Sequence, residues 1–209
     1  LTTFHVGGDE VGKGSWAKSP KCAELIQNDP DMDSVAALKP YFVRRAAALA
    51  DQHGLALVGW EDGLMDTNTD QLFERAQFKN ERMLVTPWDN IWEWGAGDRA
   101  YRFANAGYEV ILSHATHLYF DPPHEPHPQE RGYYWATRYT NAEQVFGYMP
   151  DDVYANATTT RDGAPIDDLE ALVGRPMVAL EKPENILGMQ GQVWSETIRT
   201  AEPPPDCRR

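Results

Sequence analysis

"VAALKPYFVRRAAALADQHGLALVGW", residues 35–60, carries two hydrophobic periods in succession. From about Val35 to His53 the apolar positions recur with helical spacing, Pro40 is an early irregularity, and Gly54 offers a C′ stop. "LALVGW" (55–60) is then a short continuous apolar run, the pattern of a strand buried on both faces. The same alternation runs outward in both directions. "LTTFHV" is a β run ended by Gly7-Gly8, and "TDQLFERAQ" (69–77) reads as a short helix opening on a capping Thr or Asp. "RMLVTPW" (82–88) is a third strand and "GDRAYRFANAG" (97–107) a helix closed by Gly107. "YEVILSHATHLYFD" (108–121) is a fourth strand running into a loop, and "NILGMQGQVW" (185–194) a fifth. Strands alternating with helices predict an α/β fold with a parallel sheet.

Polar and aromatic clusters follow the strands: Asp9-Glu10, Trp60-Glu61-Asp62, Trp88-Asp89, Tyr119 with Asp121, and Trp194 with Glu196. In a β/α barrel such positions converge at the C-terminal face, where active sites lie. Five of eight strands make this a partial (β/α)₈ TIM barrel, a fragment of a single catalytic domain over 1–209. The polar segment 151–184 reads as a surface insertion. No glycine-rich phosphate loop follows a strand, which disfavours a nucleotide-binding sheet.

The 209 residues carry a formal net charge of −13, which argues against a phosphate-binding nucleic-acid partner. No stretch approaches the apolar length of a membrane span. Cys22 and Cys207 fit no metal spacing and fix no redox compartment. Opening on Leu1 inside a motif and closing on "AEPPPDCRR", the chain reads as a piece of a longer protein.

In "FHVGGDEVGKGSW" (4–16) two acids stand side by side after a Gly pair. Consecutive residues leaving a strand point in different directions, so each acid can take its own task in one pocket. A proton-bearing Glu beside an ionised Asp suits a general acid with an orienting neighbour. The bland alternative is a solvated acidic turn. Trp60, Trp88 and Trp194 each close a strand, and singly each could be a core residue. Together they suit an apolar box around a neutral ligand group, and Trp92 and Trp94 follow closely in "PWDNIWEWG". Asp121 and Glu196 suit hydroxyl recognition. His114 and His117, three apart on a strand, would point to opposite faces, and His124 and His127 sit among prolines, so a metal site is disfavoured. No strand-to-helix turn carries the Gly-x-Ser-x-Gly of a serine hydrolase.

"HVGGDEV", "GWEDGL", "SHATHLYFD", "RGYYWATRYT" and "MQGQVWSET", in that order, resemble the β-N-acetylhexosaminidases of glycoside hydrolase family 20, the bacterial chitobiase-like branch in particular. The resemblance covers nearly the whole chain. It implies a (β/α)₈ barrel of which this chain holds roughly strands four to eight, the preceding half lying elsewhere in the parent protein. It further implies no cofactor, an N-acetylhexosamine-containing oligosaccharide as partner, and a periplasmic or secreted parent. By the same resemblance Glu10 is the general acid/base and Asp9 orients the substrate's acetamido group, whose carbonyl is the nucleophile. Tyr119 donates to the acetamido oxygen, and Trp60, Trp88 and Trp194 enclose its methyl. Asp121 and Glu196 hold sugar hydroxyls, and Trp135 stacks on the next sugar outward. His5 either supports the site from behind or simply packs. The family's hydroxyl-gripping arginine belongs to the preceding half. Two other readings stay open: a retaining glycosidase with Glu196 as covalent nucleophile, and a non-catalytic sugar-binding fragment. With two open sheet edges, the piece alone is also expected to fold or turn over poorly.

Overall fold

The structure, a computed structural model, describes residues 1–196. Cys207, the proline-rich tail and Thr197 of the last motif lie outside the described residues. The chain divides into two compact units, one of Leu1–Thr86 with Ala106–Glu109, the other of Pro87–Asn105 with Val110 onward.

In the first unit the elements are β1 (Thr3–His5), α1 (Pro20–Asn28), α2 (Leu38–Gln52), β2 (Ala56–Trp60), β3 (Met65–Asp66), β4 (Gln71–Leu72) and β5 (Met83–Thr86). β1 runs parallel to β2, with Thr3, Phe4 and His5 opposite Ala56, Leu57 and Val58. β2 runs parallel to β5, from Leu57 opposite Met83 to Trp60 opposite Thr86. The continuous apolar runs are buried as read: Leu57, Val58, Met83, Leu84 and Val85 lie in the core. α2 covers β2 with Val43, Ala47 and Ala50 on its buried face. It stops as its sequence predicts. The Gly54 N–H donates to the Asp51 carbonyl and the Leu55 N–H to that of Ala50, with Gly54 at φ +66°, a Schellman ending. Pro40 falls in the first turn, where a missing N–H costs nothing.

Residues 69–77 do not form the expected helix. β3 and β4 pair antiparallel as a short hairpin, and only Arg75–Gln77 make a 3₁₀ turn. The Asp66 carboxylate accepts from the Asn68 N–H at 2.9 Å, and Asp70 is left-handed at φ +55°. Side-chain capture of the backbone thus turns the chain back before a helix can start.

The second unit contains α3 (Arg99–Asn105), β6 (Glu109–Leu112, entering at Val110), α4 (Ala115–Leu118), α5 (Ala142–Gly147), α6 (Leu169–Val173) and β7 (Ile186–Met189). β6 and β7 pair parallel. The fourth strand ends earlier than expected, at Leu112. After it the Ser113 and Ala115 N–H groups donate to the carbonyls of Pro87 and Trp88, and α4 follows as a single helical turn. The segment 151–184 is fastened at several points. Val153 is buried and its N–H donates to the Tyr101 hydroxyl at 3.0 Å, while the Tyr154 hydroxyl donates to the Val178 carbonyl. Arg175 grips both oxygens of the fully buried Asp98 carboxylate, at 2.5 and 3.0 Å, and the Gly95 carbonyl at 2.9 Å. Among the described residues no helix is long and apolar enough to cross a membrane.

Arg175→Met removes the fork and leaves the Asp98 carboxylate buried. The intact protein should lose about 1–3 kcal/mol in urea unfolding, less than a fully buried pair would cost because the arginine is partly solvated. Unchanged stability would show that the fork does not hold the 151–184 segment.

Candidate functional site

In the first unit the acidic pair sits on a loop pinned to the exit of β2. Pairing continues past β1: the Val6 N–H donates to the Val58 carbonyl at 2.8 Å, and the Trp60 N–H to that of Gly7 at 3.1 Å. Gly7 and Gly8 then take φ +70° and +92°, open to glycine at little cost. Beyond Trp60, Glu61–Gly63 form a 3₁₀ turn, and its last residue meets the Gly pair backbone to backbone. A Cβ on Gly63 would lie 3.0 Å from both the Gly7 carbonyl oxygen and the Gly8 Cα. A Cβ on Gly8 would in turn lie 3.0 Å from the Gly63 Cα. Two facing glycines therefore let the loops touch.

Asp9 and Glu10 follow, both exposed. Glu10 is held at φ +52°, a conformation that costs an ordinary residue about 1–2 kcal/mol. Its N–H donates to Asp62 Oδ2 at 2.5 Å. Asp62 is one of the strand-end acids of the sequence, and no task for it follows from its position there. The only sequence signal was its place after Trp60, in "GWEDG". Trp60 meets His5 edge to face, ring centroids 5.4 Å apart, and His5 Nδ1 accepts from the Gly7 N–H at 3.0 Å. Burial pulls the His5 pKa down, while the nearby Asp9 charge partly restores it.

The second unit gathers the other candidates around Tyr119, which is buried with Ile91, Ala115 and Ala136. Trp88, Trp135 and Trp194 pack against that cluster. Tyr119 meets Trp135 and Trp194 edge to face at 5.7 and 5.6 Å, and Trp88 meets Trp135 at 5.7 Å. The neighbouring tryptophans are elsewhere: Trp92 is buried in the core, and Trp94 is exposed under the Arg161 guanidinium. Tyr119 bridges to Gln192 in parallel, which brings Trp194 alongside. Trp135 Nε1 donates to Asp121 Oδ2 at 3.1 Å, and the Tyr133 N–H donates to the Asp121 carbonyl at 3.0 Å. Gly132 allows this crossing, since a Cβ there would lie 2.4 Å from the Pro123 nitrogen. Asp121 Oδ1 is buried and accepts no hydrogen bond from another described residue. Burial raises the Asp121 pKa; the Trp135 bond opposes the rise and the charge of Glu196, which is exposed, adds to it.

His114 and His117 are not on opposite faces of a strand. α4 winds them onto one side, where both rings meet Tyr148, at 5.9 and 5.6 Å between centroids. The Tyr148 hydroxyl pairs with His114 Nδ1 at 2.8 Å, and Thr116 Oγ1 with His117 Nδ1 at 2.8 Å. Asn90 completes the set by donating to Thr116 Oγ1 at 2.7 Å. Burial lowers His114 to about 3, with His117 adding to the fall, and burial lowers His117 to about 4. Among the described residues no group of three or more His, Cys, Asp and Glu is placed to hold a metal ion.

The sequence and its parallel α/β fold have known counterparts. The chain belongs to glycosyl hydrolase family 20, whose catalytic domain matches residues 1–203. It is 36% identical over 203 residues to a beta-hexosaminidase of Vibrio vulnificus, covering 96% of this chain and 22% of that protein. It is 31% identical over 233 residues to an N,N'-diacetylchitobiase of Vibrio harveyi, covering 97% and 25%. The fold is similar to that of a Vibrio harveyi exo beta-N-acetylglucosaminidase solved in complex with N-acetylglucosamine. The TM-score is 0.62 at 23% identity, over 94% of this chain and 24% of that one. A Bacteroides fragilis beta-N-acetylhexosaminidase gives 0.57 at 22%, over 91% and 30%. The chain thus spans about a quarter of the length of these relatives.

Gly63→Ala forces its methyl into the Gly7-Gly8 backbone, which cannot yield as a side chain would. A loss of about 1–3 kcal/mol is expected on thermal unfolding; an unaltered melting temperature would mean the loops are not in contact. The histidines set an acid limit. The unfolded chain protonates them near pH 6.5 while the fold keeps them neutral, so stability falls as pH drops below about 6.5 and continues to fall to about 4, then 3. Each contributes at most about 1.4 kcal/mol per pH unit. His117→Gln should flatten unfolding free energy against pH between 6 and 4; an identical slope would refute the buried neutral imidazole.

Proposed function

We propose that this chain supplies the catalytic carboxylates of an exo-acting β-N-acetylhexosaminidase, on a (β/α)₈ barrel of which it holds roughly strands four to eight. Chitobiose or short chitooligosaccharides are the substrates, in keeping with the chitobiase among its relatives. The observation that carries the reading is the fixed Asp9-Glu10 loop, because proton transfer to a glycosidic oxygen needs an acid held in one place.

The reaction is retaining and assisted by the substrate, an exception to the two-carboxylate scheme. Glu10 gives its proton to the glycosidic oxygen as the bond from C1 to that oxygen breaks. The 2-acetamido carbonyl oxygen attacks C1 from the opposite face and forms an oxazolinium ring. Asp9 accepts from the acetamido N–H and balances the positive charge, Tyr119 donates to the acetamido oxygen, and Trp60, Trp88 and Trp194 enclose the methyl. Ionised Glu10 next takes a proton from water as that water attacks C1, which opens the ring and restores the starting configuration. Asp121 and Glu196, whose charges act on one another, hold hydroxyls of the terminal sugar. Trp135 stacks on the sugar beyond it.

The test is hydrolysis of 4-nitrophenyl N-acetyl-β-glucosaminide by the intact protein, its Asp9→Asn variant and its Glu10→Gln variant. Each substitution should lower kcat by roughly 10²–10⁴-fold. A thiazoline analogue of N-acetylglucosamine, which mimics the oxazolinium, should inhibit the wild type. Near-normal turnover in Asp9→Asn with no thiazoline inhibition would overturn the assisted mechanism and move the search for a nucleophile to Glu196. No hydrolysis by the wild type would leave a sugar-binding protein.

A further inference from the structure

We infer that Asp62 is the positioning residue for the Glu10 carboxyl, acting through the backbone; the inference rests on the reading of Glu10 as the general acid/base. Glu10 occupies the left-handed region at φ +52°, which a glutamate does not hold unless its surroundings fix it. Three contacts supply that fixing. The Trp60 N–H bonds the Gly7 carbonyl, Gly63 meets the Gly pair, and Asp62 Oδ2 accepts from the Glu10 N–H at 2.5 Å. The first two anchor the loop before the acids; only the third grips Glu10 itself. A charged acceptor makes this hydrogen bond stronger than a neutral one.

The support has a rigid base. Asp62 is nearly buried, lies in the 3₁₀ turn that directly follows β2, and β2 is paired on both sides, with β1 and with β5. The direction in which the Glu10 side chain leaves the loop is set by its own φ. Without the Asp62 acceptor, Glu10 can relax toward negative φ, which swings its carboxyl away from the leaving-group oxygen. Substrate binding need not change. The loss falls on the step that consumes the proton.

The experiment compares wild type, Asp62→Asn, Asp62→Ala and Glu10→Gln in the intact protein on two aryl N-acetyl-β-glucosaminides. One bears 4-methoxyphenol, which needs protonation to leave, and one 2,4-dinitrophenol, which does not. Asp62→Ala should lower kcat roughly a hundredfold on the methoxyphenyl substrate. On the dinitrophenyl substrate the drop should be a few-fold, with KM nearly constant on both. Asp62→Asn keeps an oxygen acceptor and should restore most of the rate. Equal losses on the two substrates, or an Asn variant as impaired as the Ala variant, would overturn the assignment. If Asp62→Ala does not fold, the leaving-group dependence of Asp62→Asn against wild type decides, since a weaker neutral acceptor should still widen the gap between substrates. Glu10→Gln separates the two claims. Should it show no leaving-group dependence, the reading of Glu10 fails irrespective of Asp62.

Discussion

The contact between the backbones of Gly8 and Gly63 is the constraint from which the acidic loop takes its shape. Parallel pairing brings β1 and β2 out of the sheet side by side, and side chains would ordinarily hold the exits apart. With hydrogen in place of Cβ on both, the peptide groups meet. The loop after Gly8 is then set against the end of β2, with the left-handed Glu10 bonded to Asp62, while Trp60 meets His5 from the strand before it. Rigidity at this point comes from the sheet, since β2 is paired on both sides, with β1 and with β5.

The second unit works by a different principle. Its aromatic residues are organised by packing on a buried tyrosine, and their mutual edge-to-face angles of 66° to 71° are the arrangement that ring quadrupoles favour. In the same unit, the Asn90, Thr116, His117, His114 and Tyr148 set satisfies polar groups that burial would otherwise penalise.

The strand runs and the long helix were legible because their periods are strong: Leu57 and Val58, and Val43, Ala47 and Ala50, lie where the pattern puts them. The misreadings were local. "TDQLFERAQ" has helical composition, but Asp66 just before it and the left-handed Asp70 within it reverse the chain at its start. α4 was hidden because "SHATHL" continues an apolar run, and one turn of helix is too short to show a period. α1, capped by Ser19 and opened by Pro20, is short, and its apolar face of Cys22, Leu25 and Ile26 is only partly buried, so its signal is weak. At the site, the acids and aromatics were visible as strand-end residues. Asp62 was visible too, but its work is on a backbone N–H fifty-two positions away in sequence, and no spacing rule reports that.

Asp121 shows how such a surface can discriminate. One carboxylate oxygen is held by the Trp135 indole, and the other is buried with no donor from another described residue. The cost of removing that oxygen from water is already met by the fold. A ligand that offers a hydroxyl there recovers it; one that offers hydrogen or a methyl recovers nothing and keeps the oxygen dry. On the proposed reading of Asp121 as a holder of a sugar hydroxyl, selectivity would lie in the rejection of a ring that lacks that hydroxyl, even where two rings bury the same area.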